Sequence, residues 1–319
     1  MTKELVLITG VSGHVGFRVL VEALSRNYSV RAVIRRSEQE AQIRRTESIK
    51  SREADLQFVV VEDLLKEGAF DGVLDGVDGV LHVASPLPMA TEDYRRDVID
   101  PAILATTNVL TAAAKVPSVR RVVITSSIAT LLTMDPFTSP IAAYAASKTH
   151  ALAASEAFVA REQPHFDIVS ILPSMVIGRN ELSTAARDLE TGTNGIVIGP
   201  LIGAKSEMPT LGASVHLHDV ARAHVDALNP AMSGNRRLLC SSGGLEGTVW
   251  DAAKEVVRRR YAKEVADGVF SLAGTAPSRP MRFDVSETEK LLGWEFIGFE
   301  EQVVSVVDQY VELVTSRAS

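Results

Sequence analysis

The stretch Thr9-Gly10-Val11-Ser12-Gly13-His14-Val15-Gly16 stands between an apolar run, Leu5–Ile8, and an amphipathic run that begins at Val15. The apolar run predicts a buried parallel strand, and the amphipathic run predicts a helix. At such a turn Gly10 allows the tight bend, Gly13 lets a pyrophosphate approach the backbone, and Gly16 lets the helix pack on the strand. The stretch therefore predicts a dinucleotide site, with a phosphate-free tight turn as the alternative.

Apolar strand-like runs alternate with helical stretches as far as about residue 172. The predicted strands are Leu5–Thr9, Val30–Ile34, Gln57–Val61, Gly79–Val83, Arg121–Thr125 and Asp167–Leu172. The clearest helical patterns run from Val98 to Lys115 and from Ala142 to Arg161. This alternation predicts an α/β fold with a doubly wound parallel sheet, a Rossmann fold, and a ligand at the carboxyl ends of the strands.

The sequence changes character after Pro173, because residues 178–215 are rich in Gly, Thr, Ser and Pro without a sustained period. A smaller C-terminal substrate lobe is predicted from returning segments. The predicted divisions are 1–173 with 216–241 for dinucleotide binding, 174–215 with 242–297 for the substrate lobe, and 298–319 for a C-terminal helix. Within them Asp219 is predicted as a helix N-cap, and Ser286–Glu289 as a capping box before a helix that Gly293 ends.

Bulk composition excludes several classes of protein. The chain has 319 residues, 46% hydrophobic and 23% charged, with a formal net charge of −7, which disfavours attraction to nucleic acid or an anionic membrane. Cys240 is the single cysteine, so no intrachain disulfide forms, which fits a reducing compartment. No run reaches the roughly 18 apolar residues of a membrane span, and the N-terminus lacks a signal-peptide pattern. We expect a soluble cytoplasmic protein.

A tyrosine and a lysine spaced four residues apart form the second notable pattern. Tyr144 and Lys148 share one face of the predicted helix. A phenol normally titrates near 10, but a nearby ammonium favours the phenolate and lowers that pKa. The pair could then exchange a proton with a carbonyl oxygen while hydride is transferred. The alternative is that the pair lies on an exposed helix face without a catalytic role. The preceding strand and Ser126–Ser127 make the catalytic pattern more specific and disfavour that alternative.

These elements together resemble the short-chain dehydrogenase/reductase family. The resemblance rests on the glycine turn, on Thr125-Ser126-Ser127 after the fifth strand, and on Tyr144 with Lys148. Four further stretches are similar to the extended branch, and within it to the dihydroflavonol-reductase-like group of NADPH-dependent aldehyde and ketone reductases. They are His82–Pro86, Thr107–Leu110, Pro173–Gly178 and His218–His224.

The resemblance implies roles for individual residues. Tyr144 would be the general acid, Lys148 would hold the nicotinamide ribose, and Ser127, with Ser126 as the fallback, would bind the substrate oxygen. The remaining implied cofactor contacts are Gly10, Ser12, Gly13, His14, Val15 and Gly16 in the turn, Ala84 and Ser85, Pro173 and Val176 near the nicotinamide, and Asp63 and Leu64 at the adenine. Two departures are a spacing of only 17 residues from Ser127 to Tyr144 and an alanine, Ala105, where glycine is usual. The short spacing from Ser127 to Tyr144 weakens any inference about the substrate from the family, because the loop 128–141 often borders the substrate.

Cofactor choice is predicted from the end of the second strand. An acidic residue there would hold the ribose 2′-hydroxyl of NAD, whereas this chain has Arg35 and Arg36 and no acid before Glu38. A guanidinium suits the 2′-phosphate of NADP, so NADP is the predicted cofactor. The alternative is that both arginines are a solvated helix start.

The sequence therefore predicts an NADPH-dependent carbonyl reductase acting on a small-molecule carbonyl substrate. One alternative is a nucleotide-sugar epimerase or dehydratase, for which Arg236–Arg237 and Arg279–Arg282 would supply a diphosphate clamp. Another is a redox sensor that binds NADP without turnover, although such proteins lack the tyrosine–lysine pair. A metal at His216–His224 is not expected, because His218 and His224 are six residues apart. We expect a monomer, with a dimer through Ala-rich helices near 92–115 and 142–161 as the alternative.

Overall fold

The computed structural model describes residues 3–87, 89–132, 135 and 138–316. Contacts between residues divide the chain into two compact units. The first unit is Met1–Pro173 with Ala221–Leu239, and the second is Ser174–Val220 with Cys240–Ser319. No helix in the described ranges is both long and apolar enough to cross a membrane.

The secondary structure follows an alternating pattern in the first unit and an irregular one in the second. The strands are β1 (Leu5–Thr9), β2 (Ser29–Ile34), β3 (Leu56–Val60), β4 (Gly79–His82), β5 (Arg121–Thr125), β6 (Asp167–Pro173), β7 (Met175–Ile177), β8 (Thr210–Gly212), β9 (Ser214–His216), β10 (Arg236–Cys240) and β11 (Ser278–Pro280). The α-helices are α1 (His14–Ser25), α2 (Glu38–Arg44), α3 (Glu47–Lys50), α4 (Asp100–Ala114), α5 (Pro140–Glu162), α6 (Asn194–Ile202), α7 (Leu217–Asp226), α8 (Ala253–Arg260), α9 (Ala262–Ala266), α10 (Ser286–Leu292) and α11 (Phe299–Thr315). A π-helix, Arg95–Ile99, leads into α4, and short 3₁₀ segments lie at Glu53–Asp55, Ile128–Leu131, Ala186–Leu189 and Trp250–Ala252.

The seven-stranded sheet has the order β10-β6-β5-β4-β1-β2-β3. Parallel pairing joins β1 to β2 and β4, β2 to β3, β4 to β5, and β5 to β6. The chain runs outward from β1 to β3 on one side and from β4 to β6 on the other. The strand order therefore reverses between β1 and β4, where an open α/β sheet forms its ligand crevice at the carboxyl ends. The predicted doubly wound fold is confirmed.

The central strands of the sheet are apolar, as expected for strands that helices cover. Leu7 on β1, Val80 on β4 and Val122 on β5 are completely buried. Val109 of α4 and Phe158 of α5 belong to the same core cluster. This packing fixes the strand ends from which the site is built.

The second unit has its own core around Trp250, which is fully buried and whose Nε1 donates a hydrogen bond to the carbonyl of Leu211, 3.0 Å away. Val303 and Val307 of α11 belong to the same cluster. Two short parallel pairs, β7 with β9 and β8 with β11, complete the described sheet structure of this unit.

The predicted strands and the two long helices lie within two residues of those in the structure, and Gly293 ends α10 with a φ of +76° as predicted. The helices α7 and α10 begin within two residues of their predicted starts, but the capping interactions predicted for them are wrong. Asp219 lies inside α7, and its carboxylate accepts from the Ile297 amide at 2.7 Å instead of capping the helix. Ser286 forms no capping box, because its hydroxyl donates to Asp284, while Glu289 accepts from the Phe296 amide.

Candidate active site

The glycine turn brings two backbone segments closer together than side chains would allow. Gly10 has a φ of +77°, and a Cβ there would lie 2.8 Å from the amide nitrogen of Ala84. A Cβ on Gly16 would lie 2.0 Å from the carbonyl oxygen of Gly10, whereas one on Gly13 would meet the same oxygen at an ordinary 3.4 Å. Gly10 and Gly16 are therefore required by packing, while Gly13 leaves an exposed approach to the backbone.

Helix α1 presents an N-terminus that suits an anion. Gly13 is its N-cap, and no side chain of the described residues caps it. Ser12 is exposed beside it, and His14 and Val15, partly buried, begin the first turn. Because the first amides of a helix lack carbonyl partners within it, they can bind a phosphate. The turn thus fits the pyrophosphate of a dinucleotide.

The loop after β4 is tied directly to β1. The Thr9 hydroxyl oxygen accepts from the amides of Val83 and Ala84, each at 3.1 Å, and lies 3.0 Å from His82 Nδ1. Thr9 and His82 are both buried. These bonds fix the backbone of Ala84 and the following Ser85 at the carboxyl edge of the sheet, beside the glycine turn.

The proposed catalytic side chains meet beside the end of β5. The Ser127 hydroxyl lies near enough to the Tyr144 phenol to lower its pKa, and Ser127 Oγ accepts from the Ala129 amide at 3.1 Å. Lys148 Nζ donates to the carbonyl of Thr125 at 2.9 Å and lies 5.8 Å from the centre of the Tyr144 ring. A serine, a phenol and an ammonium therefore converge within the first unit.

Two features hold this trio in place. Helix α5 is capped by Ser139, whose hydroxyl oxygen accepts from the Ala142 amide at 3.2 Å, so Tyr144 lies near a fixed helix start. The chain after β5 is extended at Ser127, with φ −165° and ψ 154°. Successive side chains of an extended segment point to opposite sides. Ser127 faces Tyr144, and Ser126 instead lines a cavity beside Lys148.

Burial controls the ionisation of this site. Burial raises the pKa of Tyr144 above its usual value, and the nearby Ser127 hydroxyl acts in the opposite direction. Burial lowers the pKa of Lys148 to about 8. In the protein described here the phenol is therefore held protonated at neutral pH. The sequence analysis expected the nearby ammonium to lower the pKa of Tyr144, whereas in this structure burial outweighs it and raises that pKa. A lower pKa of Tyr144 in the cofactor complex stays a prediction.

The end of β2 carries both predicted NADP arginines on the surface. Arg35 and Arg36 are exposed, and their backbone amides donate to Gln39 Oε1 at 2.9 and 3.2 Å. Gln39 thereby fixes the turn that presents the two guanidinium groups. Cationic side chains on an exposed turn suit a phosphate, so this edge fits the 2′-phosphate of NADP.

The predicted adenine contact lies on a loop that α4 anchors. Asp63 is exposed, and its carboxylate accepts from the Leu65 amide at 2.8 Å. Leu64 is buried, and its carbonyl accepts from Asn108 Nδ2 at 3.0 Å. Asn108 thus has a structural role, because it holds this loop against α4.

The other sequence candidates are distributed over both units of the chain. Pro173 ends β6 in the first unit, whereas Val176 lies on β7 in the second. In the loop 128–141, residues 133, 134, 136 and 137 lie outside the described part of the chain, as do residues 317–319 of the predicted C-terminal helix. His224 Nε2 lies 2.7 Å from the Thr125 hydroxyl, and the described residues contain no cluster of metal ligands.

Sequence reasoning missed three groups that shape the site: the Thr9 hydroxyl, the Gln39 amide and the Thr125 carbonyl. Each of these groups acts through a hydrogen bond, and the local sequence pattern does not reveal that bond. The position of Thr9 at the carboxyl end of β1 was the one available signal.

A reversal of strand order beside a glycine turn, with a tyrosine–lysine pair at the end of β5, defines a nicotinamide-dinucleotide oxidoreductase of the doubly wound class. The chain belongs to the NAD dependent epimerase/dehydratase family, because the sequence model of that family matches residues 6–237. It is 35% identical to ketoreductase CTB6 of Cercospora nicotianae over 344 aligned positions, which cover 98% of this chain and 96% of that protein. These matches confirm the predicted extended short-chain dehydrogenase/reductase family and the prediction of a reductase within it.

Two solved structures agree in fold. A reductase engineered to attenuate substrate inhibition in asymmetric catalysis is 26% identical, with a TM-score of 0.83, over 97% of this chain and 100% of that one. Yeast methylglyoxal/isovaleraldehyde reductase Gre2, solved with NADPH, is 22% identical with a TM-score of 0.80, over 98% and 99% of the two chains.

Proposed function

We propose that this protein is an NADPH-dependent carbonyl reductase that converts a small aldehyde or ketone to an alcohol. The observation that carries the proposal is the meeting of Ser127, Tyr144 and Lys148 at the carboxyl edge of the sheet. The similarity to ketoreductase CTB6 supports a ketone as the substrate class. An epimerase or dehydratase would need a diphosphate clamp, yet Arg237 is paired with Glu156, 2.8 Å away.

The chemistry divides between cofactor and protein. When bound, the reduced nicotinamide supplies the hydride that adds to the carbonyl carbon. Tyr144 gives its phenolic proton to the carbonyl oxygen, and the raised pKa of its phenol keeps that proton in place at neutral pH. Ser127 orients the same oxygen through its hydroxyl. Lys148 places a positive charge beside the phenolate that forms, which stabilises it.

The residues proposed to hold the cofactor follow the carboxyl edge of the sheet. The α1 N-terminus would bind the pyrophosphate, Arg35 and Arg36 the 2′-phosphate, and Lys148 the nicotinamide ribose. The remaining proposed contacts are Ser12, His14 and Val15, Ala84 and Ser85, Asp63 and Leu64 at the adenine, and Pro173 and Val176 near the nicotinamide. The proposed preference for NADP over NAD rests on the two arginines.

A substrate panel tests the function directly. Purified protein is mixed with NADPH and with aldehydes, ketones or β-keto esters, and the loss of NADPH absorbance is followed. We expect oxidation with at least one carbonyl class and none without substrate. Tight NADPH binding, measured by fluorescence, with no oxidation by any member of the panel would contradict the proposal and favour a redox sensor.

We also propose that the protein is a monomer. Light scattering over a range of concentrations should give a constant mass of 34.4 kDa. A constant mass of twice that value would favour the dimer through α4 and α5.

A further inference from the structure

A small polar cavity lies where β4 and β5 end against α4 and α5. His82 on β4, Ser126 after β5 and Lys148 on α5 line it, and each is at most 5% exposed. The hydroxyls of Thr106 and Ser155 also line it. The space inside is about 10 Å³. Such a volume is close to that needed by one water molecule.

Two buried polar atoms in this cavity lack a hydrogen-bond partner among the residues described: His82 Nε2 and Ser126 Oγ. Leaving such groups unpaired is costly, and buried polar atoms in proteins nearly always have a protein or water partner. Both atoms belong to residues that line the same space beside Lys148. A single occupant could therefore satisfy both.

The hydrogen-bond network assigns the tautomer of His82. The Thr9 oxygen already accepts from the Val83 and Ala84 amides, so its own hydrogen is donated to His82 Nδ1, 3.0 Å away. A neutral imidazole that accepts at Nδ1 carries its proton at Nε2. Burial and the nearby Lys148 charge lower the pKa of His82 to about 3, so the ring is neutral. His82 thus presents an N–H donor.

The cavity offers donors and acceptors together. His82 Nε2–H and the Lys148 ammonium can donate. The hydroxyls of Thr106 and Ser155 give their hydrogens to backbone carbonyls at 3.0 and 2.7 Å, so their oxygens remain as acceptors. A halide could only accept, whereas water can accept from the first pair and donate to the second. Water is therefore the occupant that matches the lining.

We propose that His82, Ser126 and Lys148 share one buried water molecule, and that His82 is a positioning residue that holds this water against the lysine ammonium. The Thr125 carbonyl gives the ammonium one fixed acceptor, 2.9 Å away, and the water gives it a second. Two fixed acceptors restrict the direction of the remaining N–H. The water site is a property of the fold, while its kinetic consequence rests on the proposed function.

Loss of the water has a specific electrostatic consequence. Among the residues that the structure describes, two titratable side chains face Lys148: Tyr144 on the same helix and His82 on β4. Since His82 is neutral, replacing it with a neutral residue leaves the local charge unchanged. The water, however, solvates the charged form of Lys148, so its removal lowers the pKa of the lysine.

A crystal structure of the wild-type protein at about 1.5 Å resolution, with a second crystal soaked in bromide, tests the site itself. We expect one solvent peak within about 3.2 Å of His82 Nε2 and Lys148 Nζ, with no anomalous bromide signal. An empty cavity, or a bromide peak in it, would overturn the proposal whatever the enzyme does.

The variants His82→Phe and His82→Gln test the positioning role. Phenylalanine keeps a planar aromatic side chain but removes both the Nδ1 acceptor and the Nε2–H donor, whereas glutamine retains an acceptor and a donor. For His82→Phe we expect the alkaline limb of kcat/KM to move down by about one pH unit and kcat to fall about 10-fold. His82→Gln should restore most of both. Equal losses in the two variants with an unmoved limb would indicate a merely structural role and overturn the proposal.

Ser126→Ala provides a milder change, should His82→Phe fail to fold. Its matched control is Ser147→Ala, because Ser147 is equally buried and adjacent to Lys148, and its hydroxyl donates to the Tyr144 carbonyl without lining the cavity. Only Ser126→Ala should move the alkaline limb; a shift in both would contradict the proposal. A wild-type protein that reduces no carbonyl would contradict the proposed function alone, and the crystals would still decide the water site.

Discussion

In the proposed reaction Tyr144 donates the proton and Ser127 orients the carbonyl oxygen, so substitutions can test the two roles separately. Tyr144→Phe keeps the ring and its packing but removes the proton donor, so we expect kcat to fall about 10²–10⁴-fold. NADPH affinity, measured by fluorescence titration, should stay near the wild-type value because the glycine turn and Lys148 are unchanged. Ser127→Ala should lower kcat more than Ser126→Ala, because Ser127 contacts the phenol. A Tyr144→Phe protein with the wild-type rate would remove the tyrosine from the mechanism.

As pH rises, the activity should respond to the titration of Lys148 at a lower pH than to that of Tyr144. Burial lowers the pKa of Lys148 to about 8, whereas it raises that of the phenol. The ammonium is present below the lowered pKa and is lost as pH rises through it. We therefore expect kcat/KM for carbonyl reduction to be level near neutral pH and to fall above about pH 8. A profile that stays level to pH 10 would contradict this assignment.

Coenzyme preference should depend on the two exposed arginines. Arg35→Ala or Arg36→Ala would remove a proposed charge-assisted contact to the 2′-phosphate, worth roughly 1.5–3 kcal/mol, so the Kd for NADPH should rise about 10- to 100-fold. The Kd for NADH serves as the internal control and should change little. Equal wild-type affinities for the two nucleotides would exclude the proposed role.

Residues close together in sequence were predictable, and contacts between distant ones were not. Gly10 and Gly16, or Tyr144 and Lys148, lie within one turn or helix, so their spacing indicates their geometry. The bond between Thr9 and His82 joins residues 73 positions apart. The role of Gln39 follows from a local turn, but glutamine carries no distinctive turn preference, so its pattern gave no signal.

At the scale of elements, the junction of β1 with α1 combines two glycines with different requirements. A Cβ on Gly16 would lie 2.0 Å from a backbone oxygen that cannot move aside. Gly16→Ala should therefore cost at least about 3 kcal/mol of unfolding free energy, measured by denaturant titration. Gly13→Ala is the matched control, because its Cβ meets an ordinary 3.4 Å contact.

Gly13→Ala should change stability by no more than about 1 kcal/mol while weakening NADPH binding, since the added methyl covers the exposed approach to the backbone. Equal stability losses in the two variants would contradict the geometry of this junction.

Element boundaries show where sequence patterns are reliable. The strands of the sheet were predicted because parallel strands covered on both faces are continuously apolar. The caps of α7 and α10 were mispredicted because polar side chains suited to capping bond other backbone amides instead. Asp219 bonds the Ile297 amide and Glu289 the Phe296 amide. A side chain suited to capping a helix can instead bond any backbone amide that the fold brings near it, and the local sequence does not show which bond forms.

At the scale of the whole molecule, one arginine joins the sheet to the returning segment of the first unit. Arg121 on β5 is buried and gives two hydrogen bonds to Asp167 of β6. Its remaining donors bond the carbonyls of Ala227, Asn229 and Met232 at 2.7–2.9 Å. All five guanidinium donors are thus used, which lysine could not reproduce.

We expect Arg121→Gln to lower the free energy of unfolding by about 3 kcal/mol, because it leaves a carboxylate and three carbonyls without their partner. Arg120→Gln is the matched control: Arg120 pairs with Glu4 and Asp78 at the surface and should contribute less than about 1 kcal/mol. Denaturant titration of both variants measures the difference. Similar losses at the two positions would contradict the role of Arg121.

The position of β10 at the edge of the sheet affects how the protein is made. Its neighbour, β6, ends at Pro173, but β10 begins only at Arg236, after residues 174–220 have been synthesised for the other unit. On the ribosome, β6 therefore emerges long before the strand that covers its free edge. An uncovered edge can pair with other chains, so a nascent chain is exposed to aggregation during the interval between these strands.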